Sequence, residues 1–156
     1  NMKFMMNGAL TIGTLDGANI EIREEVGDDN FFLFGLNAEE VEKMRCHYNP
    51  TAIIKADDDF RRVIQLLESG HFNQFEPGIF DPILQSIKSP WDQWLVAADF
   101  RSYIDTQEIV SQVYREQQTW TRMSILNTAY SGKFSTDRTI REYNDEIWHL
   151  SPKPIG

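Results

Sequence analysis

An α/β fold is predicted by three observations. There are two short β-favouring runs at residues 9–14 and 31–34, a segment between them suited to a crossover, and a long remainder spaced at three and four residues. The first run is bounded by Gly8 and Gly13 and followed by the turn signal Asp16-Gly17, which predicts a buried strand. The next segment, Ala18 to Val26, reads two ways. Ile20-Glu21-Ile22-Arg23 alternates like a strand, whereas Ile22 and Val26 share a helix face and Gly27 suits the residue after a helix end; a helix is favoured. Phe31-Phe32-Leu33-Phe34 is apolar throughout, as expected of a strand covered on both faces, so the segment before it serves as the connection between two parallel strands.

After Gly35 the pattern turns helical. Asn37 is placed to cap a helix whose first turn holds Glu39 and Glu40, where the dipole favours carboxylates, and whose Val41 and Met44 have core spacing. The triplet Asp57-Asp58-Asp59 precedes Phe60, Val63, Ile64 and Leu67, and reads as the stabilised start of a helix ending near Gly70 rather than as a metal site, since no matching ligand set accompanies it. Pro77-Gly78 and Ser89-Pro90 bracket a short helix from Asp81 to Lys88. From Asp99, the residues Phe100, Tyr103, Ile104, Val110, Val113 and Tyr114 define one side of a long helix. Trp120, Met123, Ile125 and Leu126 continue a second one to about Tyr130. Ser135 or Thr136 caps a last helix with Ile140, Tyr143, Ile147 and Trp148 on one face, ended by Ser151-Pro152. All these stripes are expected to be core.

A net charge of −9 over 156 residues argues against a nucleic-acid or anionic-membrane surface, which needs dense Lys and Arg. No apolar run approaches a membrane span, so no membrane association is expected. Cys46 is the only cysteine, which excludes an intrachain disulfide and makes a reducing compartment, the cytoplasm, the simpler assumption. His47, His71 and His149 are scattered without paired ligands, so no metal is expected. Carboxylate pairs such as Glu24-Glu25 read as solvated helix charges, and Ser131-Gly132-Lys133 lacks the upstream glycine of a phosphate-binding P-loop.

Lys3 carries the clearest chemistry. Set among Phe4, Met5 and Met6 it would lose hydration, which favours the neutral amine, lowers its pKa from about 10.4 and makes it a nucleophile toward an aldehyde; the competing reading is a solvated residue near a frayed end. The run Asn1-Met2-Lys3, then Asn7-Gly8-Ala9-Leu10-Thr11-Ile12-Gly13-Thr14, then Asp16-Gly17-Ala18-Asn19 resembles the pyridoxal-phosphate lysine segment of the α-1,4-glucan phosphorylases, the glycogen, starch and maltodextrin phosphorylase family. Residues 30–35, Ala98-Asp99-Phe100, Trp120-Thr121-Arg122 and residues 131–140 resemble the same family in the same order.

The resemblance implies a retaining glycosyltransferase that releases glucose 1-phosphate from glycogen or a related α-1,4-glucan using inorganic phosphate. Lys3 would hold pyridoxal 5′-phosphate as a Schiff base, with Asn1 and Met2 lining the pocket. Gly8, Gly13, Asp16, Gly17 and Asn19 are expected to shape the turn rather than touch ligand, and no residue is assigned a direct catalytic role. It further implies that the chain is the C-terminal part of the Rossmann-like second lobe of a glycosyltransferase-B-type enzyme: a strand–helix–strand piece with the lysine over 1–36, then a helical remainder over 37–156. Two strands alone leave unpaired edges, so the chain is expected to be one piece of a longer, cytoplasmic and homodimeric polypeptide that begins before Asn1, and to be inactive by itself. The alternative is a non-catalytic helical interaction or regulatory module derived from a phosphorylase.

Overall fold

The computed structural model describes residues 1–151 and 153. Two strands and nine α-helices are ordered along them: α1 (Met2–Met6), β1 (Ile12–Gly13), α2 (Ala18–Val26), β2 (Phe32–Leu33), α3 (Ala38–Arg45), α4 (Pro50–Ala56), α5 (Asp58–Glu68), α6 (Asp81–Lys88), α7 (Val96–Arg115), α8 (Gln117–Tyr130) and α9 (Thr136–Tyr143). The strands pair in one two-stranded sheet. Phe32 N–H donates to Thr11 O at 2.9 Å and Phe34 N–H to Gly13 O at 3.1 Å, so donors and acceptors advance in the same direction, as parallel pairing requires. The strand–helix–strand connection thus exists as expected, with the helical reading of Ala18–Val26 correct and both strands shorter than their apolar runs. β2 is not covered on both faces: Phe31 and Phe32 are buried, Leu33 is exposed and Phe34 is half-buried.

The chain divides into two compact units that do not follow its order. One comprises residues 1–11, 18–32 and 113–156, the other residues 12–17 and 33–112. In the first unit, Met5, Ile22, Val26 and Phe31 form a small core against which Met2 and Phe134 pack. Phe32 and Trp120 stack at 6.3 Å, and Tyr114 meets Trp120 edge-on at 5.0 Å. Ser135 caps α9 by accepting from Arg138 N–H, and the chain then widens into a π-helical turn at Asn144–Trp148 before His149 at φ 51°. Pro152, expected to end this helix, lies outside the described residues.

The second unit holds a larger core of Tyr48, Ile54, Phe60, Ile64, Leu84, Leu95 and Ala97. Its helices begin on side-chain caps. Asn37 and Glu40 form a reciprocal capping box at α3, and Asp57 accepts from Phe60 N–H at 3.0 Å to start α5. α4 has no counterpart in the sequence expectations, although Asn49 as cap and Pro50 at the first helical position are its start signal. α7 starts at Val96, not Asp99, because Asp92 accepts from Trp94 N–H at 3.0 Å and from Val96 N–H at 2.9 Å. That arrangement holds buried Leu95 at φ 53°. The acidic triplet is engaged throughout: Arg101 forks onto Asp57 at 2.7 and 2.8 Å and reaches Asp59 at 2.8 Å, while Arg61 pairs with Asp58 at 2.7 Å.

Candidate functional site

Lys3 stands on α1, a five-residue helix whose backbone is pinned at both ends. At its start the Asn1 side chain accepts from Met2 N–H at 2.9 Å and donates from Nδ2 to Asn19 Oδ1 at 2.8 Å. At its end Asn7 Nδ2 donates to Lys3 O at 2.7 Å, and Gly8 turns the chain at φ 80°. Gly8 O accepts from Ser124 Oγ at 2.8 Å, and a Cβ on Gly8 would stand 2.5 Å from that hydroxyl, so a larger residue would displace the Ser124 side chain as well as strain the turn. Three residues further along α8, Asn127 is fully buried and donates from Nδ2 to Asn30 O at 3.1 Å and to Met123 O at 3.0 Å. The first and last turns of α1 are therefore tied to α2 and α8 of the same unit.

The side chains of α1 sort by face. Met5 is fully buried and Met2 half-buried against the small core, whereas Lys3 is exposed and its neighbours Phe4 and Met6 are 71% and 58% exposed. The apolar shielding expected around Lys3 is thus not provided by the described residues, because a helix of this length buries one face and Lys3 is on another. Its amine is reachable and its backbone is fixed. An aldehyde-bearing cofactor needs a primary amine with open space in front of it, and Lys3 meets that requirement, so the residues present fit the covalent anchor of such a group. Asn1 reaches Asn19 and the backbone, Met2 touches the core, and Gly17 sits at φ 47° in the turn after β1.

The second unit gathers a separate set. Gly35, at φ 82°, donates from its N–H to Ser102 Oγ at 2.9 Å, and Leu36 N–H donates to Asp99 Oδ1 at the same distance. A Cβ on Gly35 would lie 2.9 Å from Asp99 Oδ1 and from Thr14 Cγ2, which makes this a close approach of backbone to side chains as well as a left-handed turn. Burial pushes the Asp99 carboxyl up, the Leu36 N–H draws it back down, and the charge of Asp16 raises it again. The motif Ala98-Asp99-Phe100 was singled out by resemblance, but its partners Gly35 and Leu36 are distant in sequence and could not be read from it. Among the described residues no three His, Cys, Asp or Glu side chains come together to hold a metal ion, and no helix is long and apolar enough to cross a membrane.

Comparison with known sequences decides the family. The model of the carbohydrate phosphorylases matches residues 1–150. The chain belongs to the carbohydrate phosphorylase family. It is 52% identical over 156 residues to a glycogen phosphorylase of Synechocystis sp., a match that covers 99% of this chain and 18% of that protein. It is 48% identical over 153 residues to the muscle form of glycogen phosphorylase from Rattus norvegicus, covering 97% of this chain and 18% of the relative. The H isozyme of α-glucan phosphorylase from Triticum aestivum is 48% identical over 160 residues, with 99% of this chain and 19% of that enzyme covered. The chain therefore spans about a fifth of the length of these phosphorylases, and both the lysine segment and the Asp99 motif lie inside the matched region.

Proposed function

We propose that this chain is the C-terminal part of a pyridoxal-phosphate-dependent α-1,4-glucan phosphorylase, which releases glucose 1-phosphate from glycogen or a related glucan with inorganic phosphate and retention of configuration. The observation that carries the reading is Lys3: a single reachable amine on a helix whose two ends are tied down by Asn1, Asn7 and Ser124. Lys3 Nζ would hold the cofactor covalently. Asn1 fixes the entry of α1 and with it the direction in which Lys3 leaves the backbone, while Met2 fills the space beside the small core. When bound, the cofactor supplies a phosphate monoester whose second ionisation, near pH 6, suits proton exchange with inorganic phosphate. Lys3 acts as anchor rather than as acid or base. The polypeptide is cytoplasmic and homodimeric at native length, residues 1–36 carry the cofactor lysine, residues 37–156 complete the same Rossmann-like lobe, and the chain by itself does not turn over glucan.

Borohydride reduction of the native-length, cofactor-replete protein, followed by peptide mapping, tests this directly. A pyridoxyl group on Lys3 is expected; its absence refutes the anchor role and favours a regulatory module without cofactor. Lys3→Leu in the same protein is expected to abolish phosphorolysis, and normal turnover by that variant without added vitamin B6 would overturn the assignment.

A further inference from the structure

The second unit contains a cavity of about 470 Å³ to which the proposed chemistry of Lys3 assigns nothing. Its volume falls in the range that small ligands occupy. Eight of its eleven lining residues are apolar or aromatic, Tyr103 and Trp94 among them with a hydroxyl and an indole N–H, and the other three are Thr14, Asp16 and Asp99. The aromatic wall is ordered: Phe60 and Phe100 stack with centroids 4.0 Å apart, and Phe34 meets Tyr103 edge-on at 5.1 Å. Trp94 lines the cavity while remaining 75% exposed.

The charged groups, Asp16 and Asp99, have one sign. Thr14 Oγ1 donates to Asp16 Oδ2 at 2.8 Å, and Leu36 N–H donates to Asp99 Oδ1, yet among the described residues neither carboxylate is in an ion pair. Arg101, two residues beyond Asp99, is committed to Asp57, Asp59 and Asp105. Burial is the main reason half-buried Asp99 holds its proton more tightly than usual, and the like charge of Asp16 adds a repulsion to it. A cation placed here would relieve that repulsion, and aromatic faces attract cations independently. A neutral polyol would leave most of its hydroxyls facing hydrocarbon, and an anion would meet two carboxylates.

We propose that this cavity binds a small organic cation, an alkylammonium joined to an aromatic ring by a short linker, with its ammonium at Asp99 and Asp16 and its ring against Phe34, Phe60 and Phe100. The site is independent of Lys3 and of the activity proposed above. Calorimetric titration of the native-length protein with tryptammonium, its neutral isostere tryptophol and the anion indole-3-propionate reads the charge selectivity directly. Tryptammonium should bind about tenfold or more tightly than tryptophol, with indole-3-propionate weakest. Asp99→Asn and, as a solvent-exposed second variant that spares the fold, Asp16→Asn should each erode that preference, and Val63→Trp should fill the cavity and abolish binding. Equal affinity for the three probes, binding unchanged by both carboxamide variants, or no saturable binding of tryptammonium would overturn the proposal. The last result together with binding to the 156-residue chain alone would instead assign the cavity to a basic side chain of the same polypeptide.

Discussion

Helices α5 and α9 begin alike and end differently. Each starts on a side-chain cap, Asp57 accepting from Phe60 N–H at 3.0 Å and Ser135 from Arg138 N–H at 3.3 Å, and each carries apolar residues along one face. α5 buries Phe60 and Ile64 in the core of its unit, whereas no residue of α9 is buried and Ile140, Tyr143, Ile147 and Trp148 stay open to solvent. The expectation that both stripes are core therefore holds at Phe60 and Ile64 of α5, although Val63 of that stripe is exposed, and fails for α9. Periodicity specifies that a helix forms and which face is apolar; it does not specify what covers that face.

The contrast can be broken most strongly at Ile64, which is 3% exposed. Ile64→Ala should cost about 2–4 kcal/mol in urea unfolding, because a cavity adds to the lost transfer energy. Ile140→Ala on the open face of α9 should stay within about 0.5 kcal/mol. A loss at Ile140 as large as that at Ile64 would show that α9 is covered in solution. Next in size, Gly35→Ala should cost about 1–3 kcal/mol, since the residue sits at φ 82° and its new Cβ would meet Asp99 and Thr14 at 2.9 Å. Removing the cap with Asp57→Ala should cost about 1–2 kcal/mol, and Ser135→Ala about 0.5–1 kcal/mol on a helix with no buried residue.

The smallest effects are in pH dependence, and their signs oppose. The Arg101 guanidinium and the Phe60 N–H hold Asp57 down at about 2, below the unfolded value near 3.9, so its contribution is fully present above about pH 4 and is lost as pH falls toward 2. Asp99 is raised by burial, so the folded state keeps its proton longer than the unfolded one, and stability falls as pH rises through the folded value. Asp99→Asn should then raise the melting temperature at pH 7 and Asp57→Asn should lower it, by thermal unfolding at matched ionic strength. The same sign for both would sink the assignment.

Much of this was legible beforehand where the signal is local. The bounds of α2 and α6, the Asn37 cap and the start of α5 follow from residues within a turn of one another. α4 was legible too, in Asn49-Pro50, but has too few apolar residues in period to draw notice. The start of α7 at Val96 is not legible from periodicity, because Leu95 just before it adopts a left-handed conformation that interrupts the helical pattern. At the site, Lys3, Asn1 and Met2 were named from one short motif, while Ser124 and Asn127, which hold Gly8 and the turn before β2, lie on α8 and carry no signal toward the lysine.

Family membership and the crossover between two parallel strands were determined by residue order alone, because motifs, caps and turn glycines act over a few bonds. The exposure of Lys3, the open face of α9 and the pairing of Asp99 with the backbone of Leu36 were decided only by the folded chain. Burial and electrostatics depend on which surfaces meet across long stretches of sequence, and no period or spacing encodes that meeting.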